Sequence, residues 1–263
     1  MSRLHLLQKV ANVVVYLFFL GATVYSVVGP KPDPKVILEH ETYITPASWV
    51  FYVWSVIHLL LGGFVVYQWF EPAHEVAVHG VGWHFVISSV LNAVWLSLWQ
   101  KGHLVLALIA ILFTASSVSF VFYNLEKNYA ANNWWDRIFV HAPFSLWHGF
   151  VVFVAVLNTF AAFTSTQEDG PDTLHITLVI FGLVFLASTA IGYVEYKGAK
   201  GDVTGALVIA IGLFGVFAQQ HNAIIHWSAL AAAIVTVLYP ARPYIFKLLG
   251  RTSESGENAP LLG

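Results

Sequence analysis

Eight apolar stretches, which carry no charged residue, occupy most of this 263-residue chain. A transmembrane helix needs about 20 mainly apolar residues. Charged residues make up only 10% of the sequence, against roughly 25% in a soluble domain. We therefore predict an all-α integral membrane protein, a bundle of about eight transmembrane helices. The stretches run from Val10 to Gly29, Trp49 to Phe70, Gly82 to Trp99, Leu104 to Tyr123, Phe139 to Phe163, Leu174 to Val194, Val203 to Ala218 and Ala223 to Tyr239.

The connection between the last two stretches is only a short polar turn, 219–222. A single re-entrant pair is therefore the alternative to two full spans at this point. The basic residues favour an even number of spans, because Lys and Arg accumulate on the cytoplasmic side and the loss of one of the last two helices would put Arg242, Lys247 and Arg251 on the wrong side. With eight spans and a cytoplasmic N-terminus, nine basic residues lie inside and three outside. The inside set is Arg3, Lys9, Lys127, Arg137, Lys197, Lys200, Arg242, Lys247 and Arg251, and the outside set is Lys31, Lys35 and Lys101.

Composition divides the chain into three parts. Residues 1–163 contain five aromatic-rich spans, residues 174–245 contain three spans rich in Gly and Ala, and residues 246–263 form a polar tail that we expect to be flexible and cytoplasmic. The Gly-rich spans present small faces that let membrane helices pack closely, within the bundle or in a homodimer. The Pro-rich loop 30–46 is stiff enough to act as a lid, although a simple connector is an equal alternative.

The tail ends in a short pattern, Glu257 followed four residues later by Leu261 and Leu262. An acidic residue before a Leu-Leu pair is similar to the sorting signals that adaptor complexes read. We therefore expect a vacuolar or endolysosomal membrane, with the plasma membrane as the alternative. An adaptor reaches such a signal only if the C-terminus is cytoplasmic, which agrees with the predicted orientation.

Several kinds of chemistry are excluded by what the sequence lacks. The absence of Cys removes disulfides, thiolate metal sites and thiol catalysis. A net charge of −2 without a basic block gives no indication of a nucleic-acid partner. The absence of charged residues from the spans argues against a carboxylate-driven proton pump, an aspartyl protease and a retinal Schiff base. We predict no catalytic residues and no metal site.

The polar side chains that remain inside the spans are amides and imidazoles, and these are the first candidates for function because polar groups are costly in lipid. They include His58, Asn92, His148 and Asn158. Histidine can ligate metal or haem, but His141 and His148 lie about two turns apart and cannot hold one ion together. We therefore favour hydrogen-bonded histidines between helices.

Three tryptophans, Trp54, Trp95 and Trp147, lie deeper in the spans than those at the helix ends. Asn92 and Trp95 share one helix face, as do Trp54 and His58. If these faces converge, they form an aromatic pocket with few polar groups, suited to a flat apolar ligand. Plain aromatic packing between helices is the alternative.

Three segments resemble the tryptophan-rich sensory and translocator proteins, the TspO/MBR-related family. Ile44–His58 contains T-P-x-x-W-x-F-x-x-W, Leu91–Trp95 reads L-N-x-x-W, and the fifth span carries Pro-aromatic-x-x-Trp before Leu157–Asn158. Compact five-helix members have a Gly-Pro between the two tryptophans of the second helix. This chain lacks it, has a longer interval from Trp147 to Asn158, and has three further helices, so it is more similar to the longer eight-helix relatives.

The resemblance implies binding of porphyrins, sterols or similar hydrophobic molecules between the five helices, with the first loop as a cover. Haem or another porphyrin is the candidate ligand. The residues at the family's motif positions, together with the two intramembrane histidines, form the predicted site: Trp49, Trp54, His58, Asn92, Trp95, Trp147, His148 and Asn158.

The leading hypothesis is thus a non-enzymatic membrane protein that binds a flat hydrophobic ligand as a sensor, carrier or buffer. A transporter or channel for a small metabolite is the alternative, although an inverted repeat that would favour it is only faintly visible. An enzyme acting on a tetrapyrrole ranks lowest, because general acid-base chemistry needs a positioned partner for a histidine.

Overall fold

The computed structural model describes residues 2–30, 36, 40–196 and 202–248. Within these residues the protein is a helical bundle, with eight long helices at the positions of the eight apolar stretches. They are α1 (Arg3–Val28), α2 (Ser48–Tyr67), α3 (His84–Gln100), α4 (Leu104–Asn128), α5 (Trp134–Phe163), α6 (Thr173–Glu195), α7 (Val203–Gln219) and α8 (Ala223–Leu248).

Most of these helices are long and apolar enough to cross a membrane. Six of those in the described part pass both criteria, and α3 makes a seventh when it is counted with the bent segment before it. Helix α7 has 17 residues, which is at the short end of the range for a span. The predicted all-α membrane bundle is confirmed.

One face of the bundle, here called the N-terminal face, contains the start of α1 and the ends of the even-numbered helices. The Gln8 side chain donates to the carbonyl of Val78 in the α2–α3 connection (3.2 Å). At the far end of the chain, the Tyr239 hydroxyl of α8 donates to Glu195 at the end of α6 (2.8 Å). Helix α8 therefore ends on the face where α6 ends, while Gln220 in the α7–α8 turn bonds to Thr45 at the other end of the bundle, so α7 and α8 each cross it as two full spans require.

The opposite face gathers the other loops. The Gln220 side chain donates to the carbonyl of Thr45 (2.7 Å), and the backbone N–H of Gln167 donates to the Tyr43 hydroxyl (2.7 Å). The Gln100 side chain donates to the carbonyl of Ser26 at the end of α1 (3.3 Å). The loops that share a face are thus those that eight alternating spans would place on the same side of the membrane.

Helices α1 to α5 form a closed ring in the order α1, α2, α5, α4, α3, and α6 to α8 pack against each other beside it. Helix α7 lies along α5, and this contact is here called the seam. At the seam Gly149 and Gly205 bring the two backbones together: a Cβ added to Gly149 would lie 2.8 Å from the carbonyl oxygen of Gly205. Small residues allow this separation, since any side chain would hold the helices apart.

The α2–α3 connection is helical but bent. A short helix at Glu71–Val81 meets α3 at 63°, and Gly82 forms the corner with φ of 62°. Only glycine adopts this backbone conformation without strain. The bent connection is held against the start of α1 by the Gln8–Val78 hydrogen bond, and it counts with α3 as one span.

Two predictions fall on residues outside the described part of the chain. One is the side of the membrane on which Lys31, Lys35, Lys197, Lys200 and Arg251 lie. The other is the sorting signal formed by Glu257, Leu261 and Leu262.

Two aspartates cap helices in opposite electrostatic settings. Asp172 is exposed and caps α6, where hydrogen bonds from the His175 backbone N–H and side chain lower its pKa. Asp202 caps α7 beneath the seam, where burial raises its pKa against the opposing hydrogen bonds from Ser145 and Thr204. The nearby Glu126 carboxylate raises the pKa further.

These settings predict opposite effects of removing the charge. A raised pKa means that ionised Asp202 opposes folding above its folded-state pKa, and that this penalty disappears as the pH falls toward the ordinary value of about 3.9. Asparagine caps helices as well as aspartate does. We expect Asp202→Asn to raise the melting temperature by a few degrees at about pH 7 and to lose this advantage at about pH 4.

The control is Asp172→Asn. Its lowered pKa means that the ionised form favours folding above the ordinary pKa and stops doing so as the pH falls through the folded-state value. This variant should melt slightly below wild type at neutral pH. Thermal melts of both proteins at the two pH values decide the matter, and equal shifts in the same direction would refute the assignment.

Candidate functional site

Two tryptophan–asparagine pairs join α3 to α5 across the interior of the five-helix ring. The Trp147 indole N–H on α5 donates to Asn92 Oδ1 on α3 (3.1 Å). In the reverse direction, the Trp95 indole N–H on α3 donates to Asn158 Oδ1 on α5 (3.0 Å). These two interactions are here called the Trp–Asn pairs. Each helix therefore supplies one donor and one acceptor to the other.

The amide of Asn158 is fixed from both sides. Its Nδ2 donates to the carbonyl of Leu104 at the start of α4 (2.9 Å), while its Oδ1 accepts from Trp95. The separation of Trp147 and Asn158 by about three turns puts both on the face of α5 that points into the ring. The Trp–Asn pairs thus tie three helices together at two different depths.

Phe19 of α1 contacts three other aromatic rings inside the five-helix ring, and these four residues, Phe19, Trp54, His58 and Trp147, are here called the aromatic cluster. The Phe19 ring stacks on Trp147 with centroids 5.5 Å apart, meets Trp54 edge-on at 5.8 Å, and contacts the His58 ring at 4.4 Å. The sequence gives no sign of the special position of Phe19. Phe18 and Phe19 are adjacent and chemically identical, and only the packing of α1 shows that Phe19 is buried whereas Phe18 is 57% exposed.

His58 brings an incompletely satisfied imidazole into this cluster. Its Nε2 forms a hydrogen bond with the Thr23 hydroxyl (2.9 Å). Its Nδ1 is buried and, among the described residues, has no hydrogen-bond partner. A buried polar atom without a partner costs roughly 1–3 kcal/mol, so a native structure with one needs an explanation.

The structure brings together six of the eight predicted residues and separates the other two. Trp54, His58, Asn92, Trp95, Trp147 and Asn158 all belong to the interior of the ring. Trp49 is 43% exposed at the start of α2. His148 points toward the three-helix part, where its ring nitrogens bind the hydroxyls of Ser119 (2.7 Å) and Tyr193 (2.6 Å). With both nitrogens satisfied, His148 joins α4, α5 and α6 and is remote from the cluster.

The centre of the ring is tightly packed. Trp147 and Asn158 have no accessible surface, and Asn92 has 1%. A side chain with no accessible surface has no water-sized space beside it. A ligand at this position must therefore displace aromatic side chains and take over their hydrogen bonds.

A cavity on the opposite face leads toward this centre. It has a volume of about 360 Å³, and its lining includes His40, Glu41, Phe51, Trp99 and Leu157. We call it the vestibule. The His40 ring stacks on Trp99 at 4.3 Å with an angle of 11°, and Trp99 in turn contacts Trp95 at 5.9 Å. Aromatic rings thus connect the loop before α2 to the inner Trp–Asn pair.

A buried pair of amides, Asn12 and Gln68, is absent from the polar residues predicted from the sequence. Asn12 on α1 donates to Gln68 Oε1 on α2 (2.9 Å), and Gln68 donates to the carbonyl of Lys9 (3.1 Å). Asn12 and Gln68 are both buried, and Lys9 is 3% exposed. The signal was present, since both amides lie within the apolar stretches, where polar groups are expensive.

The described residues contain no group of three or more His, Cys, Asp or Glu side chains placed to hold a metal ion. What the ring offers chemically is hydrogen bonding by indole, amide and imidazole between aromatic walls.

Comparison with known families gives one match. A family model described as TSPO-like protein matches residues 9–241, which covers most of the chain including the three helices after the five-helix ring. No curated protein and no solved structure matches the sequence significantly.

Proposed function

The chain belongs to the TSPO-like protein family, and we propose that it binds a flat hydrophobic ligand between helices α1 to α5. The ligand class is a tetrapyrrole or a sterol-like molecule. The role is that of a non-enzymatic sensor, carrier or buffer in the membrane.

The observation that carries this proposal is the buried Nδ1 of His58, beside Phe19 and Trp54, which has no hydrogen-bond partner among the residues that the structure describes. In an apolar environment such an atom destabilises the folded protein. A ligand with a polar group at this point would supply the missing hydrogen bond while its apolar body contacts the aromatic rings. The cost in the free protein then becomes a contribution to ligand affinity.

The Trp–Asn pairs give the ligand a way in without leaving further polar atoms unsatisfied. An indole N–H that leaves an asparagine can donate to a carboxylate, carbonyl or hydroxyl of the ligand, and the freed amide can do the same. Exchanging one hydrogen bond for another changes the free energy little. The vestibule provides the route, because movement of Trp99 and Trp95 would open the ring from the face where His40 covers it.

The choice of binding over chemistry rests on the same residues. General acid-base catalysis contributes when a titratable side chain has a positioned partner. His58 bonds only to a threonine hydroxyl, and the cluster holds no carboxylate within the described residues. Such groups orient a ligand and do not activate a nucleophile.

The proposal also includes the orientation of the bundle. The N-terminal face carries Arg3, Lys9, Lys127, Arg137 and Arg242, and the positive-inside rule places this face in the cytoplasm. The vestibule then opens to the lumen or the cell exterior.

A titration with protoporphyrin IX tests the ligand proposal. We expect His58→Phe to weaken binding about tenfold, since loss of one buried hydrogen bond is worth roughly 1.4 kcal/mol. Quenching of tryptophan fluorescence in purified protein gives the affinity. A competing sterol added to the porphyrin complex separates the two ligand classes.

His226→Phe is the matched control. His226 lies on α8, outside the five-helix ring, and bonds to the carbonyl of Gln220 (3.0 Å). Its replacement should leave the affinity unchanged. Equal affinities for wild type and both variants would remove the support for a site at His58.

A further inference from the structure

Four basic side chains converge on the N-terminal face, between the start of α1 and the bent α2–α3 connection. The His5 ring lies 5.3 Å from the His74 ring and 5.5 Å from the His79 ring, centroid to centroid. Lys9 is one helical turn after His5, so it shares the same face of α1. We call these four residues the basic cluster.

The backbone positions in the basic cluster are fixed by neighbouring hydrogen bonds. Gln8 donates to the carbonyl of Val78 (3.2 Å), which holds the connection carrying His74 and His79 against α1. Gln68 donates to the carbonyl of Lys9 (3.1 Å), which holds the end of α2 against the same turn. The four basic groups are therefore held close before any ligand arrives.

Lys9 is the unusual member. Its side chain is almost fully buried, with the residue 3% exposed, and its ammonium lies 5.8 Å from the centre of the Trp69 ring. Within the described part of the chain it forms no ion pair, and Glu71 and Glu75 on the adjacent connection are exposed. A buried cation without a counter-charge is strongly unfavourable unless an anion joins it.

His5 also has an unsatisfied polar atom. His5 Nδ1 is buried and has no hydrogen-bond partner among the described residues. Partial burial lowers the pKa of His74, and the positive charges of the neighbouring Lys9, His5 and His79 lower it further. An anion between them would relieve both the repulsion and the missing hydrogen bond.

We propose that the basic cluster binds a phosphate group, either the headgroup of an anionic membrane lipid or free phosphate. Phosphate presents several acceptor oxygens, and the cluster presents an ammonium and imidazole N–H donors. A metal ion is the poorer occupant, because the Lys9 ammonium repels a cation. The cluster lies on the N-terminal face, where α1 begins, and the proposed orientation turns this face toward the anionic cytoplasmic leaflet.

Calorimetric titration of the purified full-length protein tests this, with three probes: a short-chain phosphatidic acid, a short-chain phosphatidylcholine and inorganic phosphate. We expect phosphatidic acid to bind at least tenfold more tightly than phosphatidylcholine. Lys9→Met, which keeps the length and apolar contacts of the side chain, should weaken phosphatidic acid binding at least tenfold.

His74→Gln is the second variant and should weaken binding by a smaller factor, because it removes one of several donors. Lys127→Met is the matched control, since Lys127 lies exposed at the end of α4 on the same face and outside the cluster. Melting temperatures of all three variants show that they are folded. Inorganic phosphate that binds as tightly as phosphatidic acid and responds equally to Lys9→Met would identify free phosphate as the ligand.

Equal binding of phosphatidylcholine and phosphatidic acid would overturn the proposal. An effect of Lys127→Met as large as that of Lys9→Met would also overturn it, because the attraction would then be a general effect of surface charge. Porphyrin binding at the ring interior is a separate measurement, and its outcome does not decide this one.

Discussion

Replacing Trp147 with alanine should lower the free energy of unfolding by about 3–5 kcal/mol, the range for a buried Trp or Phe truncated to Ala. Trp147 has no accessible surface and stacks on Phe19, so its removal leaves a cavity at the centre of the ring. Asn92 also loses the indole N–H donor that satisfies its side-chain oxygen. Unfolding in mixed micelles with increasing denaturing detergent gives the free energy.

Two further variants separate packing from hydrogen bonding. Trp147→Phe keeps most of the ring and removes the N–H, and we expect it to cost about 1 kcal/mol, as for other hydrogen bonds between membrane helices. Trp227→Ala on α8 removes a tryptophan that is 61% exposed and should cost far less than Trp147→Ala. Similar losses for Trp147→Ala and Trp227→Ala would mean that the ring interior is not packed as described.

The second large effect is expected at the seam, where Gly149→Ala should destabilise the protein by about 1–3 kcal/mol, as overpacking generally does. The added methyl group would lie 2.8 Å from the Gly205 carbonyl oxygen and 3.3 Å from its Cα. Both are backbone atoms and cannot rotate away, so α5 and α7 must separate. Detergent unfolding of the variant measures the loss.

Gly192→Ala is the control for helix propensity. A Cβ at Gly192 on α6 meets nothing within 4 Å, so this variant should be neutral or more stable by up to about 1 kcal/mol. The opposite signs of the two glycine substitutions isolate the close approach at the seam. Stabilisation by Gly149→Ala would show that α7 does not pack against α5 at this point.

Much of the fold follows from the sequence because the physics of the bilayer is simple. Charges end the spans, and each of the eight helices appears where an apolar stretch predicts it. The helix ends differ in detail: α1 begins at Arg3 and includes Lys9, which the sequence places before the first span. The first helix extends through Lys9 because Gln68 binds the carbonyl of this turn, and the Lys9 ammonium lies 5.8 Å from the centre of the Trp69 ring.

The candidate site was harder to predict because helical spacing gives the face of a residue but not its partner. Asn92 and Trp95 lie on one face of α3 as expected, yet nothing in their spacing indicates that Asn92 pairs with Trp147 and Trp95 with Asn158. The pairing depends on how α3 and α5 are offset along the bundle axis. Such an offset is a property of the packed ring and is not encoded in either helix alone.

Trp49 and His148 show the same limit from the other direction. Trp49 shares a motif with Trp54, but the first turn of α2 directs it away from the ring. His148 follows Trp147 in the sequence, and adjacent helical residues point in different directions, so one faces the ring and the other faces α6. The residue type and its depth in the membrane do not distinguish Trp49 and His148 from the residues that face the ring.

The position of a bound porphyrin tests the central claim most directly. We expect a structure of the protoporphyrin complex in a lipid nanodisc to place the ligand inside the five-helix ring, in contact with Phe19, Trp54 and His58. At least one of the Trp–Asn pairs should be broken, with its freed groups bonded to the ligand. A porphyrin outside the ring, with both Trp–Asn pairs intact and His58 Nδ1 still without a partner, would contradict the account.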